Sequence, residues 1–270
     1  MKHQFPANDR VSVELLGDGV AHVRLIRTDK LNALDPAMFS ALVDAGKALF
    51  DLPGLRCVVL SGEGRAFSAG LDLASIKTLL SDKGPTLRER TYGNANMFQQ
   101  VAMQWRKLPV PVVAAIHGYC LGGALQIAGG ADIRVVAPDA RLAVMELKWG
   151  IVPDMGGFAL WRGLVRDDVL RALTYTNREF SGEEALTLGF ATQVDSDPLA
   201  CALDIARAVA AQSPHAVRSA KSLFNRAADC SLDEILQAES IEQHKLLGSR
   251  NQVEAVMSQI ERRPPAFVDP

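Results

Sequence analysis

A short apolar run that stops at glycines and passes straight into a helical pattern constrains the fold of this chain more than any other feature. Val112–Ile116 is typical of a buried strand, and a helical pattern starts at the paired glycines Gly122 and Gly123. The first backbone N–H groups of a helix lack intrahelical partners and lie at the positive end of the helix dipole. The turn therefore predicts a site for an anion, or for an oxygen that becomes negative during a reaction.

The same order of strand, glycine-bearing loop and helix recurs along the first two thirds of the chain. Strands are predicted at residues 11–15, 21–25, 56–62, 112–116, 133–137 and 142–145, and helices from Pro36, over residues 93–107 and over residues 158–165. This alternation predicts the α/β class, with a mostly parallel sheet and crossover helices. The strand signals cease after residue 198, so we predict a core of residues 1–198 and a helical oligomerisation region of residues 199–270.

The bulk composition argues against several classes of partner. With 270 residues, of which 48% are hydrophobic, the chain can bury a sizeable core. A net charge of -2 offers no general attraction for nucleic acid or for an anionic membrane. Residues 1–6 contain no apolar segment of signal-peptide length, and no run approaches the roughly 20 apolar residues that span a bilayer. We therefore expect a cytoplasmic protein with no nucleic-acid and no membrane partner.

Metal-ligating side chains are not clustered in the sequence. Four widely spaced cysteines lie in apolar surroundings, which favours reduced core residues: Cys57, Cys120, Cys201 and Cys230. No histidine, cysteine or carboxylate cluster has metal-ligand spacing, and the glycine loops match neither a Walker A nor a dinucleotide motif. We expect neither a bound metal nor a separate cofactor.

Two loops share one pattern of a buried strand, small residues and a helix start. They are residues 66–73 and residues 118–124. One glycine loop by itself is weak evidence, because most such loops mark turns. Two N–H groups that converge on one point would instead form an oxyanion hole, which stabilises an enolate or a tetrahedral oxygen.

Four ordered segments of the chain resemble the crotonase, or enoyl-CoA hydratase/isomerase, superfamily. They are residues 29–34, 66–72, 117–124 and 178–185, and the resemblance spans nearly the whole sequence. It implies a crotonase-like spiral of ββα repeats with a C-terminal helical trimerisation region. It also implies a homotrimer or a dimer of trimers that binds an acyl-CoA thioester, so that coenzyme A is part of the substrate.

The resemblance also assigns residues around the thioester and the coenzyme A moiety. The backbone N–H groups of Leu71 and Gly123 would hold the thioester oxygen, and the carbonyl of Ala69 would receive the adenine amine. Fixed backbone donors suit this chemistry because they polarise a carbonyl without a titratable group. Further CoA-binding candidates are Lys30, Asp72, Leu73, Arg262 and Arg263. For the two C-terminal arginines a solvated basic helix end is the alternative.

Positions 126 and 146 decide which reaction is available. In hydratases that resemble this chain, two glutamates at these positions flank a water, whereas this chain has Gln126 and Glu146. An amide cannot transfer a proton at neutral pH, so Gln126 is left to position a water or to cap a polar pocket. Glu146 is the predicted acid and base, with a pKa raised by partial desolvation. The alternatives for Glu146 are an ion pair with Lys148 and a loop cap.

Asp154 has two interpretations. It follows a proline and precedes a glycine pair, which is typical of a helix N-cap. The dienoyl-CoA isomerase branch, which this arrangement resembles in part, has a second catalytic carboxylate at the position of Asp154, and it also has an acid at the position of Gln126. Monofunctional enoyl-CoA isomerases work with a single glutamate at the position of Glu146.

These residues favour double-bond isomerisation of an enoyl-CoA or dienoyl-CoA. One alternative is an enoyl-CoA hydratase of fatty-acid β-oxidation, which would use Glu146 to add water to a 2-enoyl-CoA. An alternative of another class is an acyl-CoA-binding scaffold without turnover. We expect residues 76–90 to shape the acyl pocket and His117 to pack a loop rather than to catalyse.

Overall fold

The structure is a computed structural model that describes residues 5, 8–75 and 87–270. Its strands are β1 (Val11–Leu15), β2 (Val20–Leu25), β3 (Cys57–Gly62), β4 (Val112–Ile116), β5 (Tyr119–Leu121), β6 (Ile133–Val136), β7 (Arg141–Ala143), β8 (Phe180–Ser181) and β9 (Gln193–Val194). Its α-helices are α1 (Pro36–Phe50), α2 (Met97–Lys107), α3 (Gly123–Gly129), α4 (Gly157–Trp161), α5 (Asp167–Thr176), α6 (Gly182–Leu188), α7 (Pro198–Ala210), α8 (Pro214–Ala227), α9 (Leu232–Leu246) and α10 (Arg250–Ile260). Short 3-10 helices cover Thr28–Lys30, Leu73–Ser75 and Glu146–Trp149.

From β4 to β7, consecutive strands alternate between two sheets. Within the described ranges, the main sheet has the order β1-β2-β3-β4-β6-β9, with β1 and β2 antiparallel and the other pairs parallel. The second sheet has the order β5-β7-β8, in which β5 and β7 are parallel. In each of the pairs β4/β5 and β6/β7, the first strand lies in the main sheet and the second strand lies in the second sheet. After each pair the chain continues into a helix or turn. This arrangement confirms the predicted spiral of ββα repeats.

Local sequence signals set most element boundaries. The predicted hairpin forms between β1 and β2, and Asp35 caps α1 by accepting a hydrogen bond from Met38 N at 2.8 Å. The helix predicted from residue 93 begins only at Met97, because Asn96 forms a capping box with Gln99. The strand predicted over residues 142–145 ends at residue 143, and the helix predicted over residues 158–165 is the shorter α4.

Helices cover both faces of the main sheet. One face packs against α1, α2 and α3 around large buried side chains that include Phe39 and Trp105. The other face packs against α7, whose Ala202 and Ala206 contact a cluster with Val113. The first helix after the predicted boundary at residue 198 thus lies on the sheet, and the division into two regions stays a prediction.

Two of the four cysteines fit the core prediction. All four are free; Cys57 and Cys120 are buried, whereas Cys201 and Cys230 are half-buried. The thiols of Cys57 and Cys120 are buried, and this burial raises the pKa of Cys57 to about 12.

In the described ranges, no helix combines the length and the apolar character that crossing a membrane requires.

A buried lysine fastens the C-terminal helices to the core. Lys221 of α8 is 5% exposed, and its ammonium donates to Trp105 O at 2.9 Å, Val110 O at 2.8 Å and Asp132 Oδ2 at 2.8 Å. All three ammonium protons therefore have acceptors, which a buried charge requires. The contact fixes α8 beside the end of α2 and the start of β4.

Candidate active site

Two loops meet beside the N-terminus of α3, where the sequence predicts an oxyanion hole. Ser68 pairs with Cys120 in an isolated parallel bridge, so the loop after β3 runs alongside β5. Gly70 has a φ of +82°, and a Cβ there would overlap the carbonyl oxygen of Leu121 and lie 3.9 Å from Gly123 N. Glycine alone tolerates both this backbone conformation and this approach. The first loop therefore closes directly against the start of α3.

The predicted holders of the thioester oxygen, the N–H groups of Leu71 and Gly123, lie on the two loops that meet at the start of α3. A bridge fixes the chain on both sides of Leu71, because Leu34 N donates to Gly70 O at 2.8 Å and Asp72 N donates to Leu34 O at 3.0 Å. Gly123 is the first residue of α3, where a backbone N–H has no intrahelical acceptor. Among the described residues, neither of these two N–H groups has a hydrogen-bond acceptor. Both are available to a ligand, and the assignment stays a prediction.

Glu146 and Gln126 are buried in direct contact at this turn. Gln126 lies one turn into α3 and is 1% exposed, and Glu146 follows β7 and is 6% exposed. Gln126 Nε2 donates to Glu146 Oε1 at 2.5 Å, and Met145 N donates to Glu146 Oε2 at 2.9 Å. A Cβ on Gly122 would lie 3.5 Å from Glu146 Oε1. The carboxylate is thus next to the turn that carries the predicted oxyanion donors.

The surroundings of Glu146 raise its pKa above the ordinary value for glutamate. Burial is the largest cause, and the like charge of Asp154 adds to it, while the N–H donors of Gln126 and Met145 lower the pKa. A raised pKa suits a carboxylate that takes up and returns a proton near neutral pH. Among the described residues Glu146 forms no ion pair; Lys148 instead lies over the ring of Trp149, 5.8 Å from its centroid. The alternative of an ion pair with Lys148 is therefore wrong.

Gln126 also holds the segment that follows Glu146 in the site. Its Oε1 accepts hydrogen bonds from Met155 N and Gly157 N, both at 2.9 Å. Because α4 begins at Gly157, this amide oxygen satisfies one of the N–H groups that a helix start leaves open. Nothing in the spacing of positions 126, 155 and 157 signals this contact, and sequence reasoning missed it.

Asp154 does not cap α4, so the helix-cap interpretation is wrong. The N-cap is Gly156, which has a φ of +93° and supplies no side-chain hydrogen bond. Asp154 is exposed on one side, yet desolvation by the protein around its carboxyl raises its pKa. Its charge adds to the causes that raise the pKa of Glu146, and its role as a second catalytic carboxylate stays a prediction.

An ion pair that the sequence did not predict fixes the loop that carries Leu71. Arg27 at the end of β2 donates to Asp72 Oδ2 at 2.7 Å and to Ala33 O at 3.1 Å. Asp72 Oδ1 in turn accepts from Ala74 N at 3.0 Å. The Asp72 carboxylate thus holds the loop in place, and its predicted contact with coenzyme A stays a prediction.

The other CoA-binding candidates near the two loops face solvent. Lys30 is exposed at the end of a 3-10 helix, and Leu73 is 46% exposed at the start of another. The carbonyl of Ala69 accepts no hydrogen bond from the described residues, while Ala69 N donates to Leu31 O at 2.9 Å. No donor of the described residues therefore occupies the carbonyl that is expected to receive an adenine amine.

The two C-terminal arginines differ in their availability. Arg263 forms ion pairs with Glu254 and Glu261, both at 2.6 Å, and these contacts raise its pKa further. Arg262 is exposed and forms no ion pair or side-chain hydrogen bond among the described residues. Of the two, Arg262 is the one whose charge is not already paired with a carboxylate.

Three further expectations concern parts of the chain other than Glu146, Gln126 and Asp154. His117 Nε2 lies 2.9 Å from Gly64 O, which confirms that this histidine packs against a loop. In the described ranges, no group of three or more histidine, cysteine or carboxylate side chains could hold a metal ion. Most of the predicted acyl-pocket segment, residues 76–86, lies outside the described residues.

A family model described as enoyl-CoA hydratase/isomerase matches residues 16–270, which is nearly the whole chain. The chain belongs to the enoyl-CoA hydratase/isomerase family. It is therefore an enzyme of this family, whose substrates are acyl-CoA thioesters.

Relatives of this family member have names from both reaction types. The chain is 29% identical to the mitochondrial Delta(3,5)-Delta(2,4)-dienoyl-CoA isomerase of Mus musculus, with 90% of this chain and 77% of that protein covered. It is also 29% identical to the short-chain-enoyl-CoA hydratase of Clostridium acetobutylicum, with 90% and 92% covered. The enoyl-CoA hydratase of Bacillus anthracis matches the fold with a TM-score of 0.86 at 27% identity, with 96% of this chain and 98% of that chain covered. Overall similarity therefore does not distinguish an isomerase from a hydratase. The distinction has to be made from the residues of the site.

Proposed function

We propose that this family member shifts a carbon–carbon double bond in an acyl-CoA thioester, with Glu146 as the one acid and base. The observation that supports this proposal is the contact between Gln126 Nε2 and Glu146 Oε1 at 2.5 Å. At the position where a second carboxylate would be needed to activate or protonate a water, the chain places an N–H donor. One carboxylate is sufficient for isomerisation, because the proton removed from one carbon is returned to another.

The chemistry follows from the positions of the two donors and the carboxylate. The thioester oxygen accepts hydrogen bonds from Leu71 N and Gly123 N, which stabilise the negative charge of the enolate. Glu146 takes a proton from the α-carbon of a 3-enoyl thioester and returns it to the γ-carbon, so the double bond moves to the 2-position. No atom is gained or lost, and the reaction needs no cofactor beyond the coenzyme A of the substrate.

A paired-substrate assay tests this proposal. Purified enzyme is incubated separately with a 3-enoyl-CoA and with the 2-enoyl-CoA of the same chain length, and the products are separated by chromatography and weighed by mass spectrometry. We expect the 3-enoyl-CoA to give a product of unchanged mass with a moved double bond. Rapid addition of water to the 2-enoyl-CoA, with no shift of the 3-enoyl-CoA, would contradict the proposal.

Asp154 is the proposed helper of Glu146 when the substrate has two double bonds. Its charge raises the pKa of Glu146, which places the two carboxylates within electrostatic range. Several relatives are named dienoyl-CoA isomerases. A 3,5-dienoyl-CoA is therefore the second substrate for the assay, and Asp154→Asn is expected to slow its conversion more than that of the 3-enoyl-CoA.

Hydration remains the second candidate because a relative of similar identity is named a short-chain-enoyl-CoA hydratase. Glu146 would then act on a water that Asp154 and the free N–H of Gln126 help to place. The paired-substrate assay separates the two reactions by mass. A scaffold without turnover predicts no change in either substrate and no effect of Glu146→Ala.

The remaining assignments complete the proposal. We place coenzyme A against the carbonyl of Ala69, the backbone of Asp72 and Leu73, and the cations of Lys30, Arg262 and Arg263. Exposed apolar side chains on α8, α9 and α10, and at the residue that follows α9, support a homotrimer or a dimer of trimers: Phe224, Leu232, Leu236, Ile241, Leu247, Val253, Val256 and Ile260. A cytoplasmic location is proposed from the composition, although relatives include proteins named mitochondrial and peroxisomal.

A further inference from the structure

The side-chain amide of Gln126 is held in one orientation. Its Oε1 accepts from Met155 N and Gly157 N at 2.9 Å, and these backbone N–H groups can bond only to the oxygen end of the amide. Turning the amide over would set its NH2 group against two donors. The nitrogen end must therefore face Glu146 Oε1, which lies 2.5 Å away.

We propose that Gln126 is the positioning residue for Glu146, a fixed N–H donor that binds one carboxylate oxygen and favours the ionised form between turnovers. The inference rests on the proposed role of Glu146 as the acid and base. It adds that the amide at position 126 is required as a donor and not merely tolerated as a replacement for a second acid.

The bonds at the carboxylate explain why such a donor is needed. Oε1 accepts from Gln126 and Oε2 accepts from Met145 N, so each oxygen keeps one further lone pair for the substrate proton. Burial and the charge of Asp154 both favour the protonated form, in which Glu146 could not act as a base. The two N–H donors oppose these effects because they bind the carboxylate more strongly than the neutral acid.

The charged groups around this pair are few. Among the described residues, Asp154 is the ionisable side chain whose charge raises the pKa of Glu146. Gly122, at the start of α3, and Met155, next to Asp154 in the segment before α4, are uncharged. A change in the pH dependence of the enzyme on altering Gln126 thus reports on Glu146, with Asp154 as the other group to control.

Gln126→Glu tests the inference most sharply. The variant keeps the length of the side chain and an oxygen for Met155 N and Gly157 N, but it sets a second carboxyl group against Glu146 Oε1. Two carboxyl groups in contact share a proton. The acid limb, meaning the part of the pH profile in which kcat falls as the pH is lowered, should therefore move to higher pH by about one pH unit or more for the 3-enoyl-CoA. At a pH below the limbs of both proteins, activity should be about tenfold lower than that of wild type, and it should recover at higher pH with KM little changed.

Two more variants separate positioning from packing. Gln126→Met removes the donor without adding a charge, and it should also move the acid limb upward, by less than Gln126→Glu. Gln104→Glu places a carboxyl at another buried glutamine, whose amide donates to Leu42 O of α1 at 2.9 Å, and it should leave the limb unchanged. Folding of each variant is checked by circular dichroism and thermal unfolding. A packing role alone would lower the melting temperature and leave the limb in place.

The inference fails separately from the proposed function. If wild type isomerises the substrate and Glu146→Gln does not, but folded Gln126 variants keep the wild-type limb, only the positioning role is wrong. If wild type fails to isomerise, the pKa of Glu146 is read directly from the 13C resonance of its carboxyl, assigned by its loss in Glu146→Gln. An upward shift of that pKa in Gln126→Met supports the donor role, and an unchanged pKa overturns it.

Discussion

At the scale of single residues, Glu146 is the side chain to which we assign proton transfer. We expect Glu146→Gln to lower kcat for the 3-enoyl-CoA by on the order of a thousandfold, because an amide cannot carry the proton between carbons. The substitution leaves the size of the side chain nearly unchanged, so KM should change little. Steady-state kinetics with the purified variant measure both constants. A loss of less than about tenfold would mean that another group transfers the proton.

His22 gives a prediction about acid stability that is independent of catalysis. It is 6% exposed in β2, its Nε2 lies 2.8 Å from Ser61 Oγ, and burial lowers its pKa to about 4. The unfolded chain binds this proton near pH 6.5, so the neutral folded histidine stabilises the protein above that pH. This contribution, about 3 kcal/mol, is lost as the pH falls from 6.5 to 4.

Urea unfolding at several pH values measures this contribution. Between pH 7 and pH 4, the free energy of unfolding of His22→Gln should fall by about 3 kcal/mol less than that of wild type. Glutamine keeps a polar partner for Ser61 without titrating. Parallel pH dependences of the two proteins would show that His22 is not the group responsible.

The sequence predicted the chemistry-bearing residues better than the contacts between them. Gln126 stands out one turn into the helix after the glycines, and the resemblance to the superfamily points to Glu146 and Asp154. In the structure Gln126 contacts Glu146, and the charge of Asp154 acts on Glu146. The two backbone bonds to Gln126 Oε1 and the pairing of Arg27 with Asp72 were missed. Such contacts join residues 29 to 45 positions apart, and a polar side chain has no pattern that names a distant partner.

At the scale of elements, the Gly70 loop closes against the start of α3, where the oxyanion hole is predicted. Gly70→Ala would place a Cβ on the Leu121 carbonyl and impose a φ of +82° on a residue that disfavours it. We expect a loss of about 1–3 kcal/mol in the free energy of unfolding and a fall in kcat as Leu71 N moves away from Gly123 N. Denaturant unfolding and steady-state kinetics on the same preparation measure the two effects.

A second glycine of similar φ, Gly163, separates the effect of backbone strain from the effect of the close contact at Gly70. Gly163 has a φ of +80°, and no heavy atom lies within 4 Å of where its Cβ would be. Gly163→Ala should therefore lose stability through the backbone alone and keep wild-type kcat. Equal kinetic effects of the two substitutions would argue against a special role for the Gly70 contact.

Element types were easier to predict than element ends. Apolar runs such as β3 and β4 are buried on both faces of the sheet, so they appear as continuous hydrophobic segments. Ends depend on single residues and on tertiary contacts: Asn96 delays the start of α2, and a 3-10 helix begins at Glu146, three residues after β7 ends. The sequence pattern therefore indicates the type of each element but says little about the residue at which the element ends.

At the scale of the whole molecule, the exposed apolar side chains of the C-terminal helices predict assembly. Phe224 is 76% exposed, Leu232 72% and Ile260 70%, which is costly for isolated chains in water. We expect light scattering after size exclusion to give three or six times the chain mass of 29.1 kDa. Leu232→Glu should shift the distribution toward smaller species, whereas Leu15→Glu, on the edge strand β1, should not.

A wild-type mass equal to one chain at micromolar concentration would contradict the proposed assembly.

The overall fold itself could be predicted from the sequence, because strand and helix patterns alternate and four segments resemble one superfamily. The packing of α7 on the sheet could not, since its helical pattern is like that of the helices that follow it. Burial on a particular partner is a property of the folded chain and not of a helix's own periodicity.

A crystal structure with a non-reacting analogue of a 3-enoyl-CoA would show whether Glu146 reaches both carbons between which the proton moves. We expect the thioester oxygen to accept hydrogen bonds from Leu71 N and Gly123 N, and one oxygen of Glu146 to lie within about 3.5 Å of both the α- and γ-carbons. We also expect Gln126 to stay bonded to the other face of the carboxylate. A thioester oxygen held elsewhere, or a Glu146 carboxylate out of reach of either carbon, would contradict the proposed function.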